Sequence, residues 1–240
     1  HNFNNNGTYN KQSNTITTVD LGVVFNNSGT LNLNAGTMRF VSGTQGPTGT
    51  VQVASGATFQ HDAASTVGNM ITAGNLVLAD RTLTVFSDYN NANFGVGNAF
   101  NRRANVSTSG TGNRLIAAGD ANQGITGVNI SNGTSTAPTL VIGNLRVGAN
   151  TFSYNIANVG TTGPALRGAI QTNVNGANIS DARLSGNGVT ASNWGPLGTG
   201  DSLARDVTIT VATAGVYAPL VTQSVNILNN FENTRSQLLT

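Results

Sequence analysis

The sequence predicts an all-β chain, a β-solenoid followed by a β-sandwich. Three observations predict it. Short strands launched by turn glycines recur at a spacing near twenty residues. Good helix formers are scarce beside thirty glycines and thirty-five asparagines. The rhythm then changes at "SNGTSTAP", residues 131 to 138.

The first elements follow from turn chemistry. "FNNNGT" at 3 to 8 returns as "FNNSGT" at 25 to 30, and each Asn-Gly or Ser-Gly turn opens an every-second-residue apolar pattern. Gly29 (GTLNL) and Gly49 (GTVQV) lie twenty residues apart, as do Gly36 (GTMRF) and Gly56 (GATFQ), while Gly7 precedes Gly29 by twenty-two. Two interleaved series at one period imply two strands per rung of a stacked solenoid. Leu31, Leu33, Met38, Phe40, Val51, Val53 and Phe59 are then expected inward, with Thr, Asn and Gln outward. Hairpins in an ordinary sandwich would alternate in the same way, but nothing would hold them to a twenty-residue period.

The pattern continues more loosely. "GNLVLADRTLTVFSDY" (74 to 89) predicts strands with Leu76, Leu78, Leu83 and Val85 inside, and short strands separated by glycines run on to about residue 130. "NNANFGVGNAFNRR" (90 to 103) reads as a projecting loop or a tucked-in strand. Its Phe94, Phe100, Arg102 and Arg103 are the candidate surface-contact residues.

Beyond the polar cluster the twenty-residue period disappears. "TLVIGNLRVG", "NTFSYNIANVG", "PALRGAIQT", "DARLSGNGV", "ARDVTITVAT" and "YAPLVTQSVNIL" read as six or seven strands in about 100 residues, the size and strand count of an immunoglobulin-like sandwich. The predicted modules are therefore 1–137, a β-solenoid, and 138–240, an immunoglobulin-like module. Trp194 is expected in a Pro- and Gly-rich turn, and Tyr217 at a strand-entry corner.

The stretches "LVIGNLRVGANTFSYNIANVGTTGPALRGAIQT", "DARLSGNGVTASNWGPLGTGD", "ATAGVYAPL" and "QSVNILNNFEN" resemble the choice-of-anchor D type of repeat of large bacterial exported surface proteins, over about residues 138 to 240. The opening "IGNLRVG" lacks the Phe of that family's pattern. "FNNSGTLNLNAGTMRF" is similar to the strand repeats of autotransporter-like and filamentous adhesins. The resemblances imply an extracellular location, at a bacterial cell surface or secreted, and bring no catalytic residues with them.

Composition narrows the chemistry. Only 8% of the 240 residues are charged, 11 Lys and Arg against 9 acids, with a formal charge of +2. Dispersed arginines make no field that gathers phosphates, so no nucleic-acid partner is expected. No apolar run reaches the roughly 18 residues of a membrane span. The start at His1, with no signal-peptide pattern, points to a piece of a longer chain. Zero cysteines leave no disulfide, thiol catalysis or cysteine-ligated zinc.

An enzyme needs carboxylates on one face. Asp62 and Asp80, with His61, Arg81 and Asp88 nearby in sequence, form the best catalytic cluster, yet "QHDAAS" and "LADRT" read more simply as rung corners where Asp caps a turn. His1 and His61 have no partner at ligand spacing, and no calcium-loop pattern occurs. Neither catalytic residues, a cofactor nor a metal is expected. The expected role is an extracellular structural or adhesive segment, a stiff stalk or fibre building block. Its partners would be identical subunits or adjacent repeats of a longer chain, and a carbohydrate or extracellular matrix. A carbohydrate-binding or carbohydrate-active β-helix is the alternative.

Overall fold

Glycine turns and every-second-residue apolar positions give strands of only four residues at the start of the chain. These are β1 (Asn2–Asn5), β2 (Thr8–Lys11), β3 (Ile16–Val19), β4 (Val24–Asn27), β5 (Thr30–Leu33), β6 (Thr37–Phe40), β7 (Thr50–Val53) and β8 (Thr58–His61). Longer strands follow, β9 (Ser65–Thr72), β10 (Asn75–Ala79) and β11 (Leu83–Asn91), and then the short β12 (Val106–Thr108) and β13 (Leu115–Ala117). The computed structural model describes residues 1–42, 46–79, 81–92, 106–108, 115–129, 133–136, 139–174, 177–215, 225–234 and 237–240.

Every pairing among these strands is parallel. They form three ladders, β1-β4, β12-β10-β8-β6-β3 and β13-β11-β9-β7-β5-β2, which is a β-solenoid. The first two rungs carry three strands each rather than two, because "FNN" adds a strand before the Gly turn. The offset is 22 from β2 to β5 (Thr8↔Thr30), 20 from β5 to β7 (Thr30↔Thr50) and 21 from β6 to β8 (Thr37↔Thr58).

The expected inward residues Leu31, Leu33, Met38, Phe40, Val51, Val53 and Phe59 are all buried, as are Leu76, Leu78, Leu83 and Val85. Aromatic rings run along the axis. Phe3 stacks on Phe25 at 5.1 Å, Phe25 meets Phe40 at 5.4 Å, and Phe40 meets Phe59 at 5.3 Å. Close stacking leaves no room at the corner between β4 and β5. A Cβ added at Gly29 would stand 2.0 Å from the Gly7 carbonyl oxygen, so a side chain at this corner would force the rungs apart.

The remaining strands are β14 (Gln123–Asn129), β15 (Gly133–Thr136), β16 (Thr139–Ile142), β17 (Gly148–Asn158), β18 (Leu166–Gln171), β19 (Asn173–Val174), β20 (Ala177–Asn178), β21 (Leu184–Ser185), β22 (Ala191–Leu197), β23 (Ser202–Val211), β24 (Val225–Asn229) and β25 (Gln237–Leu239). Their pairing is antiparallel, in two four-stranded sheets ordered β14-β17-β23-β21 and β22-β18-β24-β25. These antiparallel sheets agree with the sandwich part of the expected fold. Phe152, Tyr154, Ile156, Val207 and Ile209 of the first sheet and Leu166, Ile170, Trp194, Val225 and Ile227 of the second are buried in the same core.

Pairing changes from parallel to antiparallel between β13 and β14, where β14 joins β17 along Gln123↔Asn158 to Asn129↔Ser153. Residues 133–136 and 139–142, which flank the expected boundary, form an antiparallel hairpin. Trp194 lies in strand β22 and is 1% exposed, not in a turn. Its ring covers Gly168 of β18, where an added Cβ would meet the indole at 2.3 Å and the Leu228 carbonyl at 1.8 Å. Tyr217 lies outside the described residues. Tyr154 of β17 is buried in the sandwich, and its hydroxyl donates to the Gly188 carbonyl at 2.8 Å.

Candidate functional site: the junction of solenoid and sandwich

Each end of a parallel solenoid leaves a row of backbone groups without partners. At the β13 end this chain supplies the partners itself, from the segment after β24. The Glu232 N–H donates to the Leu115 carbonyl at 2.9 Å, and the Leu115 N–H donates to the Glu232 carboxylate at 3.3 Å. The Asn233 side chain acts as a surrogate peptide. Its Oδ1 accepts from the Ala117 N–H and its Nδ2 donates to the Ala117 carbonyl, both at 2.8 Å. Thr234 closes the row through a 3.3 Å bond from its hydroxyl to the Ala121 carbonyl. Between these contacts Phe231 is fully buried, its ring 6.3 Å from Tyr89.

The last long rung is tied down as well. β11 shifts register against β9 between Val85 and Asp88, which turns its second half towards the sandwich. The Ala165 N–H donates to the Ser87 carbonyl at 2.8 Å, and Arg167 of β18 grips the Asp88 carboxylate through Nε and Nη2, each at 2.8 Å. The side chains of this forked pair are only 16% and 27% exposed. Asn230 bridges the two modules, donating to the Tyr89 carbonyl at 2.8 Å and accepting from the Arg167 N–H at 3.3 Å. Burial pushes the Tyr89 phenol above its ordinary range, and Asn91 donates to its oxygen at 3.1 Å.

A third tie lies on the surface. The Asp120 carboxylate accepts from the backbone N–H and the hydroxyl of both Thr161 and Thr162, at 2.5 to 3.1 Å. These bonds, the Thr161 N–H foremost, hold its carboxyl far below the usual carboxylate range.

The residues weighed for catalysis do not converge. Asp62 is held by Arg39 at 2.5 Å and by Gln60 at 3.0 Å, while Arg81 donates to the Asp62 backbone carbonyl at 3.1 Å. Slight burial raises the Asp62 carboxyl, but the Gln60 and Arg39 hydrogen bonds, the Arg39 charge and His61 outweigh it and lower it. Asp88 belongs to Arg167, and Asp80 lies outside the described residues. A carboxylate gripped by a guanidinium is a poor general base. His61 is a core residue, 1% exposed and stacked on Phe40 at 5.2 Å, with Ser65 Oγ 2.6 Å from Nδ1 and no partner at Nε2. Desolvation pushes the imidazole down to about 3, against a smaller upward pull from Asp62.

Phe94, Phe100, Arg102 and Arg103 lie outside the described residues. Among the described residues no three His, Cys, Asp or Glu side chains stand together, and no helix is long and apolar enough to cross a membrane. A cleft of about 370 Å³ opens on the sandwich, lined among others by Leu184, Val189, Thr172, Asn178, Asp181 and Thr190. Asp181 there is paired with Arg183, at 2.9 and 2.6 Å, and the Arg183 hydrogen bonds bring its carboxyl down to about 2.

The junction residues escape sequence reasoning because their partners lie 41 to 141 positions away. The only local signal is that "NNFENT" concentrates side-chain amides and the single Glu directly after a predicted strand. The fold and the junction together define a class, a β-solenoid closed at one end by an antiparallel sandwich. No family model, curated protein or solved structure matches the chain.

Proposed function

We propose that this chain is an extracellular structural or adhesive segment of a bacterial cell-surface or secreted protein, working as a stiff stalk or fibre building block. The observation that carries the reading is the junction: Asp88–Arg167, Asn230 and the Glu232–Asn233 seal join the rungs to the sandwich over one buried cluster. A load along the solenoid then passes into the sandwich through backbone ladders and a forked ion pair rather than through a linker. The role is mechanical, with no catalytic step, and its contacts are to identical subunits or adjacent repeats. The resemblance of the rung motif to adhesin strand repeats supports the bacterial surface setting.

The test is single-molecule pulling from both ends. Rungs near the junction and the sandwich are expected to yield in one event, and the double variant Arg167→Ala/Asn233→Ala to split it into two. Two independent low-force events in the unaltered chain would defeat the reading. The sandwich cleft favours a second reading, carbohydrate binding, because hydroxyl, amide and carboxylate side chains line it together with Leu184 and Val189. A glycan array probed with the chain and with Asn178→Ala tests it.

A further inference from the structure

The first rung is built to receive another rung. Its strands β1, β2 and β3 are the terminal members of all three parallel ladders, so one edge of each is unpaired. Phe3 is 44% exposed and Ile16 68% exposed on this rung. Lys11 covers the interior, buried to 4%, with its ammonium on the Ser13 and Thr15 carbonyls at 2.5 and 2.8 Å. It leaves the strand edges open.

The asparagine ladders carry a direction. Asn26 and Asn32 donate through Nδ2 to Oδ1 of Asn4 and Asn10, both at 2.8 Å, which leaves the Nδ2 groups of Asn4 and Asn10 as outermost donors. The inner ladder runs the other way. Asn5 donates to Asn27 Oδ1 at 2.8 Å, which leaves Asn5 Oδ1 as the outermost acceptor. The open face thus offers two amide donors and one amide acceptor in fixed register with three strand edges.

Gly7 is the independent observation. At Gly29, Gly49 and Gly68 an added Cβ would strike the preceding rung, at 2.0, 2.2 and 2.7 Å. At Gly7 it would meet nothing within 4 Å, and no positive φ requires glycine there. Nothing within this chain excludes a side chain at position 7. A rung stacked outside it would.

We infer that the open face of β1–β3 docks a further parallel rung of polypeptide bearing the Phe-Asn-Asn-x-Gly-Thr pattern. Phe25 over Phe3, Asn26 over Asn4 and Gly29 over Gly7 are the template for that contact. A two-fold contact with a second copy pairs residue i with j and j with i, and so does not reproduce the parallel in-register stacking of β4 on β1 and β5 on β2. The opposite end of a second copy is occupied by its own Glu232–Asn233 seal. The inference deepens the stalk reading by naming the partner, and it rests on that reading only for the contact's role.

The experiment uses the whole chain and a labelled peptide of residues 24–40, VFNNSGTLNLNAGTMRF, kept monomeric as judged by sedimentation. Saturable binding by anisotropy is expected, with slowed hydrogen exchange in β1–β3 alone. Gly7→Ala is expected to keep the melting temperature and weaken binding about tenfold or more, as is a peptide with Asn26, Asn27 and Asn32 changed to Ala. No saturable binding, equal binding by Gly7→Ala, or protection of β1–β3 by self-association without peptide would each overturn the proposal. The pulling measurement does not involve this face, so the stalk reading and the docking inference fail separately.

Discussion

Asn233 pairs its side-chain amide with both backbone groups of Ala117, at 2.8 Å each, across 116 residues of sequence. One side chain thereby replaces the next strand at the edge of β13. Asn233→Ala leaves a partly buried N–H and C=O unpaired, and the expected loss is about 1–3 kcal/mol. Urea titration measures it, and faster hydrogen exchange at the Ala117 amide locates it. Unchanged exchange there would show the seal to be dispensable.

The Asp88–Arg167 pair is shielded enough to couple the modules. A double-mutant cycle of Asp88→Ala and Arg167→Ala is expected to give a coupling energy of about 1–3 kcal/mol, larger than a fully exposed pair gives. The coupling should fall only slightly between low and physiological salt, because the side chains are just 27% and 16% exposed. A coupling near zero would leave the joining of the modules to their hydrogen bonds and buried contacts.

Gly29→Ala tests the close stacking of rungs. The new methyl group would stand 2.0 Å from the Gly7 oxygen, so β2 and β5 must separate, with an expected cost of about 1–3 kcal/mol or more. Thermal melts of Gly29→Ala and Gly7→Ala side by side should show a large loss for the first and almost none for the second.

His61 sets a pH dependence whose sign is fixed by burial. The folded chain holds the imidazole neutral, with its pKa pushed down to about 3, while the unfolded chain protonates it near 6.5. Between these values the unfolded state binds more protons, so stability falls as pH is lowered through that window. The loss reaches the order of several kcal/mol at its acid end. Asp62, Asp120 and Asp181 have lowered carboxyl pKa values, so their contributions persist above about pH 4 and are lost only below it. His61→Phe, which matches Phe40 opposite it in register, should flatten the stability profile between pH 6.5 and 4. An unchanged slope would assign that dependence to other groups.

The solenoid core was legible because two periods coincide in it. Leu31, Leu33, Val51 and Val53 alternate along their strands and repeat after twenty residues, so each position is specified twice. His61 could have been read the same way, since it stands opposite Phe40 in the next rung. Trp194 was misread because glycine and proline around it signal a turn, while the contact that holds it in a strand is with Gly168, 26 positions earlier. Only the extra strand of the first two rungs was missed, since "FNN" carries only one apolar residue and shows no alternation of its own.

By itself the sequence determined an all-β chain, the rung spacing, and which side chains face the axis. Local turn chemistry and side-chain alternation decide these within one or two rungs. Only the tertiary structure decided where parallel pairing ends, which residues close the last rung, and that Asp62 and Asp88 belong to Arg39 and Arg167. Such contacts satisfy backbone groups and charges left over when the strands have paired. Which side chain lies within about 3 Å of a leftover group depends on the path of the whole chain, and no local pattern records that path.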